Sequence, residues 1–440
     1  SGDYLPDPQA CLITGIGPTD VDQKGLRETE SLGRIESLFS EGDTCVVGYN
    51  NIRFDDEFIR FGFYRDLRDP YAREWRNGNS RWDLLDVVRL AYALRPAGIE
   101  WPTHENGMVS FKLEHLTEVN HLSHDMAHDA LSDVQATIEV AKLLHRVQPK
   151  LFHFAYQYRT KKALKQLLEQ QIGQPLVHVS GRYPVTKGCM ALIAPLCVHP
   201  QNPNAIIAFD LAYDESDPLT YSHEEIAERI FTAVNELPEE VERLPIKAVH
   251  LNRSPILVPL NVLDPTSIQR WNLNLDQAQS QYLKVKSNKY FIQRVQQVFR
   301  EAEFEPEMDP ETMLYSGDFF KDQDKRTMAA IHRCDPGKLN DQQFSFQDSR
   351  LEELYFRWRA RNYPHSLSNE DQRRWQAFRQ ARLIDGDDKK PSVSEYIKRL
   401  KSLLMETESS KSSVLTDLLQ YAQQLGIEFE YKPRAGDKFS

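Results

Sequence analysis

The chain is predicted to open with an α/β domain, continue into a domain built on short β-strands, and finish in an all-α region. Three observations carry that division. From residue 1 to 148 apolar runs alternate with helical periodicity; from 149 to 302 short apolar segments are bounded by Gly, Pro or Asn; from 303 to 440 the apolar spacing is helical throughout.

In the first block, Thr44 to Val47 reads as an apolar strand that runs into Gly48-Tyr49-Asn50-Asn51, a turn delivering Asp55 to the start of a helix. Ser1 to Gln9 contains no Glu and carries Pro6 and Pro8, so no strand is expected ahead of Thr14-Gly15-Ile16. A helix is predicted from Asp129 through Leu144, with Ala130, Val134, Thr137, Ile138 and Ala141 on its core face, and Pro149 closes the block. The second block opens with a helix over Phe152 to Gln170. Strands follow at Leu176 to Val179, Met190 to Val198, Ala205 to Leu211 and Ile246 to Leu251. Ser222-His223-Glu224-Glu225 ahead of Ile226 spells a capping box, which predicts an inserted helix. The third block breaks at Asp335-Pro336-Gly337, Tyr363-Pro364 and Asp385-Gly386, and its polar end, Glu430 to Ser440, is expected to fray.

Composition narrows the classes of function. With 40% hydrophobic and 27% charged residues in 440, this is an ordinary globular balance with room for two or three domains. No apolar run approaches the roughly 20 residues that span a bilayer. Cys11, Cys45, Cys189, Cys197 and Cys334 are odd in number and lack a Cys-x-x-Cys, so neither a zinc site nor a disulfide framework is indicated and a reducing cytoplasm is expected. The net charge of −11 speaks against a general nucleic-acid coat, but it is compatible with an enzyme that draws one strand into a local basic cleft.

The stretch Ala127-His128-Asp129-Ala130-Leu131-Ser132-Asp133 supplies a histidine and, five residues on, a carboxylate at a helix start. Phosphodiester hydrolysis needs cations to neutralise charge on the oxygens and a means of making hydroxide; two Mg²⁺ ions about 4 Å apart do both, and hard cations call for Asp and Glu ligands. A neutral imidazole takes the proton of the attacking water. Asp55 and Asp133 are therefore candidate metal ligands and His128 the candidate general base. Alone, Phe54-Asp55-Asp56 is no more than an acidic helix start and His128 no more than a cap or surface residue. Together with Ser80-Arg81-Trp82-Asp83-Leu84-Leu85-Asp86-Val87 and Leu113-Glu114-His115-Leu116, their order is diagnostic.

On these motifs the chain resembles the DEDDh exonucleases and, within them, the bacterial exodeoxyribonuclease I family. Asp3-Tyr4-Leu5-Pro6, Ala93-Leu94-Arg95-Pro96, Pro175 to Gly181 and Arg359-Ala360-Arg361-Asn362 extend the likeness over the whole chain. The resemblance implies a ribonuclease H-like exonuclease domain (1–148), an SH3-like β-barrel domain with inserted helices (149–302) and a helical C-terminal domain (303–440). It further implies processive 3′-to-5′ hydrolysis of single-stranded DNA to 5′-mononucleotides, with Mg²⁺ or Mn²⁺ as cofactor, in a monomer. An RNA-trimming relative would share the motifs, yet such chains end soon after the His-Asp helix.

The family takes its first two acids from an Asp-x-Glu on the opening strand, and no such strand precedes Thr14. Two explanations stand: the sequence lacks its first strands, or the protein has lost half its ligands and persists as a DNA-binding remnant. Either way the 440 residues are expected to bind metal poorly and not to cleave. Arg81, Arg357, Arg359, Arg361 and Tyr355 are candidate DNA contacts, because rings interleaved with guanidinium groups suit single strands. Leu351, Leu354, Tyr355 and Trp358 also recur at helical spacing, which would turn them to a core and leave Arg357 and Arg361 on a solvated face. A partner is implied too, the acidic Phe-ended tail of the single-stranded-DNA-binding protein, docked at Arg95. The other pocket positions fall on Phe154, Pro259 and Asp264, and Asp264 should repel such a tail.

Overall fold

Strand β1 (Cys45–Gly48) pairs in parallel with β2 (Ser80–Asp83), Cys45 opposite Ser80 and Gly48 opposite Asp83. A parallel pair needs a crossover, and the helix Asp55–Arg65 lies within it. The computed structural model to which they belong describes residues 2–122, 130–213, 218–239, 241–302, 307–386, 390–406 and 412–429. It divides into two compact units. One comprises Glu41–Glu57 with Glu74–Glu305, the other Ser1–Ser40, Phe58–Arg73 and Pro306–Ser440. These units do not follow chain order.

In the first of these units, β2 is buried along its length and runs straight into the helix Leu84–Leu94, for which Asp83 is the N-cap. Nine of that helix's eleven residues are buried; the other two, Asp86 and Arg89, share one face and pair at 2.6 Å. The predicted His-Asp helix is found at Ala130–Val147, but its core face is not the predicted one. Ser132, Ala136, Val140, Leu143 and Leu144 are buried, whereas Leu131, Val134 and Ile138 are 65%, 56% and 48% exposed. Both stripes have helical spacing; the pair Leu143 and Leu144 gives the buried one its packing volume.

The expected single helix over Phe152 to Gln170 is two, Pro149–Gln157 and Lys161–Gln170, because Thr160 leaves helical geometry and its hydroxyl accepts from Ala163 N at 3.3 Å. Pro149 stands at the first position of its helix. Beyond them β3 (Leu176–Val179), β4 (Met190–Val198), β5 (Ala205–Asp210), β6 (Ile246–His250) and β7 (Ile256–Pro259) form an antiparallel sheet in the order β6-β5-β4-β3-β7. Strand β7 was not anticipated; it is four residues ending in Pro259, which an edge strand tolerates. Pro195 lies at a register shift in β4, where a proline costs no ladder bond. Alternate residues feed two cores: Val177, Leu192 and Ile207 on one face, Leu176, Ile193 and Ile206 on the other. The capping box at Ser222 and Glu225 is present and opens the helix His223–Phe231.

The other unit is helical. The N-terminal residues, where no strand was expected, form the helix Pro8–Thr14, capped by Asp7 and ended by Gly15 at φ 70°, so Thr14-Gly15-Ile16 is a helix stop. Asp322–Arg333, Ser349–Asn362, Asn369–Gln380, Val393–Glu406 and Ser412–Glu428 make up most of the remainder. Tyr64, Leu67, Phe320, Leu351, Leu354 and Trp358 share one core, as the spacing of the last three predicts. The breaks at Pro336, Pro364 and Gly386 are all observed. Among the described residues no helix is long and apolar enough to cross a membrane.

Candidate functional site

The turn after β1 is built to present Asp55. A Cβ on Gly48 would lie 2.6 Å from the Asn51 Cβ, so only glycine fits there. Asn50 follows in the left-handed region at φ 63°. Asp83, at the end of the neighbouring strand, gathers the turn by accepting from Asn50 N at 2.8 Å and Ile52 N at 3.3 Å as well as from Leu85 N at 3.0 Å. Burial raises its carboxyl to about 6, Asp86 adds to the effect, and the backbone bonds offset part of it. Tyr49 is tied down by a 2.6 Å bond from its hydroxyl to the Phe111 carbonyl, and burial raises its phenol.

Asp55, Asp56 and Glu57 then occupy the first turn of the Asp55–Arg65 helix, where carboxylates suit the dipole. Two adjacent acids part company here. Asp55 is exposed, its carboxyl raised first by partial loss of water and further by Asp56. Asp56 is buried and accepts from Arg81 Nη1 at 2.8 Å. Asp133 is half-buried in the first turn of Ala130–Val147, in the same compact unit as Asp55. His128 lies outside the described residues. Among the described residues no three His, Cys, Asp or Glu side chains are grouped to hold a metal ion. Asp55 and Asp133 are hard oxygen donors of the right kind, but two carboxylates do not make up the donor set of a two-ion centre.

The arginines singled out as DNA contacts are placed otherwise. Arg81 is 4% exposed and bonded to Asp56 and to the Asn252 carbonyl. Arg357 is buried, donating to Asp309 at 2.6 Å and Glu353 at 2.8 Å. Arg361 pairs with Asp3 at 2.7 Å and with Glu311. Arg359 bonds the Ser366 carbonyl, and Tyr355 packs half-buried among Phe344, Phe346 and Trp358. The expected solvated face is thus an ion-pair core, and Arg81, Arg357 and Arg361 are not available to phosphate. Asp3, Asp309 and Glu311, which pair with Arg357 and Arg361, are too distant from them in sequence for spacing to reveal the contacts. Arg95 is more open: it donates to the Val262 carbonyl at 2.8 Å and lies 3.1 Å from Asp264, which also caps the helix Pro265–Arg270. Pro259 is on β7 and the Phe154 ring packs on Tyr158.

Three family models match in succession: Exonuclease over residues 2–141, Exonuclease I SH3-like domain over 159–301 and Exonuclease I C-terminal domain over 308–425. The chain belongs to the exonuclease I family. Exodeoxyribonuclease I of Escherichia coli is 41% identical over 426 residues, 96% of this chain and 88% of the relative. Exonuclease I from Methylocaldum szegediense superposes with a TM-score of 0.90 at 41% identity, covering 97% of this chain and 90% of that one. The E. coli exonuclease I complex with a dA16 oligonucleotide gives 0.90 at 40% identity with the same coverage. Other exonuclease I structures from E. coli include a zinc-bound complex with single-stranded DNA, at a TM-score of 0.88. The fold of this chain is accordingly an exonuclease domain, an SH3-like domain and a helical C-terminal region of the exonuclease I family.

Proposed function

We propose that the site hydrolyses single-stranded DNA from its 3′ end, releasing 5′-mononucleotides. The observation that carries this reading is the pair of carboxylates, Asp55 and Asp133, each in the first turn of a helix within one unit of an exonuclease I chain. The relatives' complexes with oligodeoxynucleotides supply the substrate class. Asp55 and Asp133 would hold divalent ions, Mg²⁺ or Mn²⁺, whose chemistry when bound is to neutralise phosphate charge and acidify water. His128, five residues before Asp133, is assigned the role of proton acceptor. The three-domain division at 148/149 and 302/303, and a monomeric state, belong to the same proposal.

Asp55 and Asp133 alone are too few for a two-ion centre, so the 440-residue polypeptide should bind Mg²⁺ weakly and degrade 5′-labelled oligodeoxynucleotide slowly or not at all. That same observation favours a second reading, a single-stranded-DNA-binding protein that does not cut. The two are separated in a chain that also carries the family's Asp-x-Glu strand. There Asp133→Asn should lower kcat by about a thousandfold or more while single-strand affinity stays within about twofold. Cleavage that survives the substitution removes Asp133 from the site; no cleavage even before substitution selects the second reading. An oligoribonucleotide run in parallel tests the choice of DNA over RNA.

A complex of single-stranded-DNA-binding protein with exonuclease I is known among the relatives, and we extend it to this chain with Arg95 as the anchor for an acidic Phe-ended tail. Asp264 must release Arg95 for the tail's carboxylates to enter. Arg95→Ala should weaken binding of such a peptide severalfold by fluorescence polarisation, and unchanged binding would remove Arg95 from the contact.

A further inference from the structure

The Asp55 turn has a cationic side to which Arg253 and Arg182, outside the exonuclease motifs, contribute. Arg81, buried on β2, joins three segments: Nη1 donates to Asp56 at 2.8 Å, Nε lies 3.3 Å from Glu74, and Nη2 donates to the Asn252 carbonyl at 2.7 Å. Two residues beyond Asn252, Ser254 adopts the left-handed region at φ 46°, and its hydroxyl lies 3.1 Å from the Arg81 carbonyl and 2.7 Å from the Arg159 carbonyl. A serine accepts that backbone only where its surroundings hold it there. Residues 252 and 254 are therefore both fixed against the segments that carry the site.

Between these anchors stands Arg253. It is exposed, and its guanidinium lies 3.8 Å from Glu57, two residues beyond Asp55 in the same helical turn. That separation is within ion-pair range but too long for a hydrogen bond, so the fork of donors is not consumed. Arg53, two residues before Asp55, is also exposed, as is Arg182, and neither takes part in an ion pair among the described residues. In the antiparallel pair of β3 and β7, Val179 lies opposite Ile256, so Arg182 and Arg253 stand just beyond the same end of that pair. Burial and then Lys247, Arg182 and Arg53 hold His178 well below its usual value, while burial, Arg253, His199 and Arg182 bring His250 to about 4. In a chain of net charge −11 whose other prominent arginines are absorbed by carboxylates, this grouping runs against the trend.

We propose that Arg253, together with Arg53 and Arg182, grips the phosphates of the single strand beside the Asp55 turn, and that the Arg81 bridge holds Arg253 in place to do so. This rests on the single-strand reading of the site given above. A guanidinium fork matches two phosphate oxygens at once, and its position on an anchored loop reduces the ordering needed on binding. Arg81, which touches no phosphate, is a positioning residue.

The test is fluorescence anisotropy of a labelled oligodeoxythymidylate with the 440-residue chain in chelator, repeated over a range of NaCl concentrations so that no cleavage is needed. Each phosphate neutralised on a single strand contributes about 0.7 to the slope of log affinity against log salt. Arg253→Gln and Arg53→Gln should each weaken binding about threefold to tenfold at low salt and reduce the slope by about 0.7. Arg253→Lys should keep the slope and lose part of the affinity. Lys24→Gln, at an exposed lysine already paired with Asp20, should change neither. Melting curves establish that the exposed-site variants remain folded. Wild-type affinity and slope in both glutamine variants, or lost affinity with an unchanged slope, overturn the phosphate grip and leave the nuclease reading intact. A wild-type chain that does not bind the oligonucleotide overturns both.

Discussion

Asp83 shows how one side chain can organise a site without belonging to its chemistry. Three backbone amides point at its carboxylate, yet burial and Asp86 raise it to about 6 from 3.8. A carboxyl whose folded value is raised stabilises the native state at low pH; the contribution is complete below about 3.8 and is lost as pH rises through about 6. The shift corresponds to roughly 3 kcal/mol. Urea unfolding of the wild type at pH 4 and pH 7 should show that loss, and in Asp83→Asn it should shrink to a small remainder; equal pH dependence in the two proteins would exclude Asp83 as its source. At the same scale, the sequence named Asp55 and Asp56 together but could not say which would face solvent. Arg81 decides, and it meets Asp56 only because β1 and β2 are paired.

Among the elements, the helix Ala130–Val147 separates pattern from packing. Its sequence offers two stripes at helical spacing, one of small residues ending in Leu143 and Leu144 and one running through Val134 and Ile138. Leu144 is 1% exposed and Ile138 48%. Leu144→Ala should cost about 2–5 kcal/mol, the range for large-to-small changes in a core, while Ile138→Ala should cost less than about 1 kcal/mol. Chemical denaturation of the two variants checks the ordering; a reversed order would return the core to the other stripe. The capping box at Ser222 needed no such arbitration, because both of its bonds close within four residues. Strand β7 escaped notice for the opposite reason: four apolar residues ending in proline carry no pattern of their own until β3 pairs with them.

For the molecule as a whole, the distribution of charge matters more than its sum. Within the helical unit, Glu311 meets Arg357, Arg361 and Arg382, while Asp3 meets Arg361 and Arg382. One buried network thus fastens the first residues of the chain to helices more than 350 positions away. Burial alone would raise the Glu311 carboxyl, but Arg361, then Arg382 and Arg357, outweigh it and hold it far below 4.5. With the folded value depressed, its contribution is present above about pH 4.5 and is lost as pH falls toward the folded value. Glu311→Gln leaves guanidinium groups buried with fewer carboxylates and should cost about 3–5 kcal/mol at pH 7. The penalty should diminish in acid; a variant as stable as the wild type at neutral pH would show that the network contributes no net stability.

By itself the sequence determined what depends on neighbours along the chain: the strand ahead of Asp55, the helix that carries Asp133, the stops at Pro336, Pro364 and Gly386, and the motif order that marks the family. These rest on backbone propensities, caps and periodicity, all of which act within a few residues. Only the tertiary structure decided which stripe of the Ala130–Val147 helix is buried, that Arg357 and Arg361 serve an ion-pair core, and that Arg81 clamps the loop bearing Arg253. Burial and ion pairing depend on which distant segments meet, and contacts between residues as far apart as 81 and 252, or 3 and 361, leave no periodic trace in a single sequence.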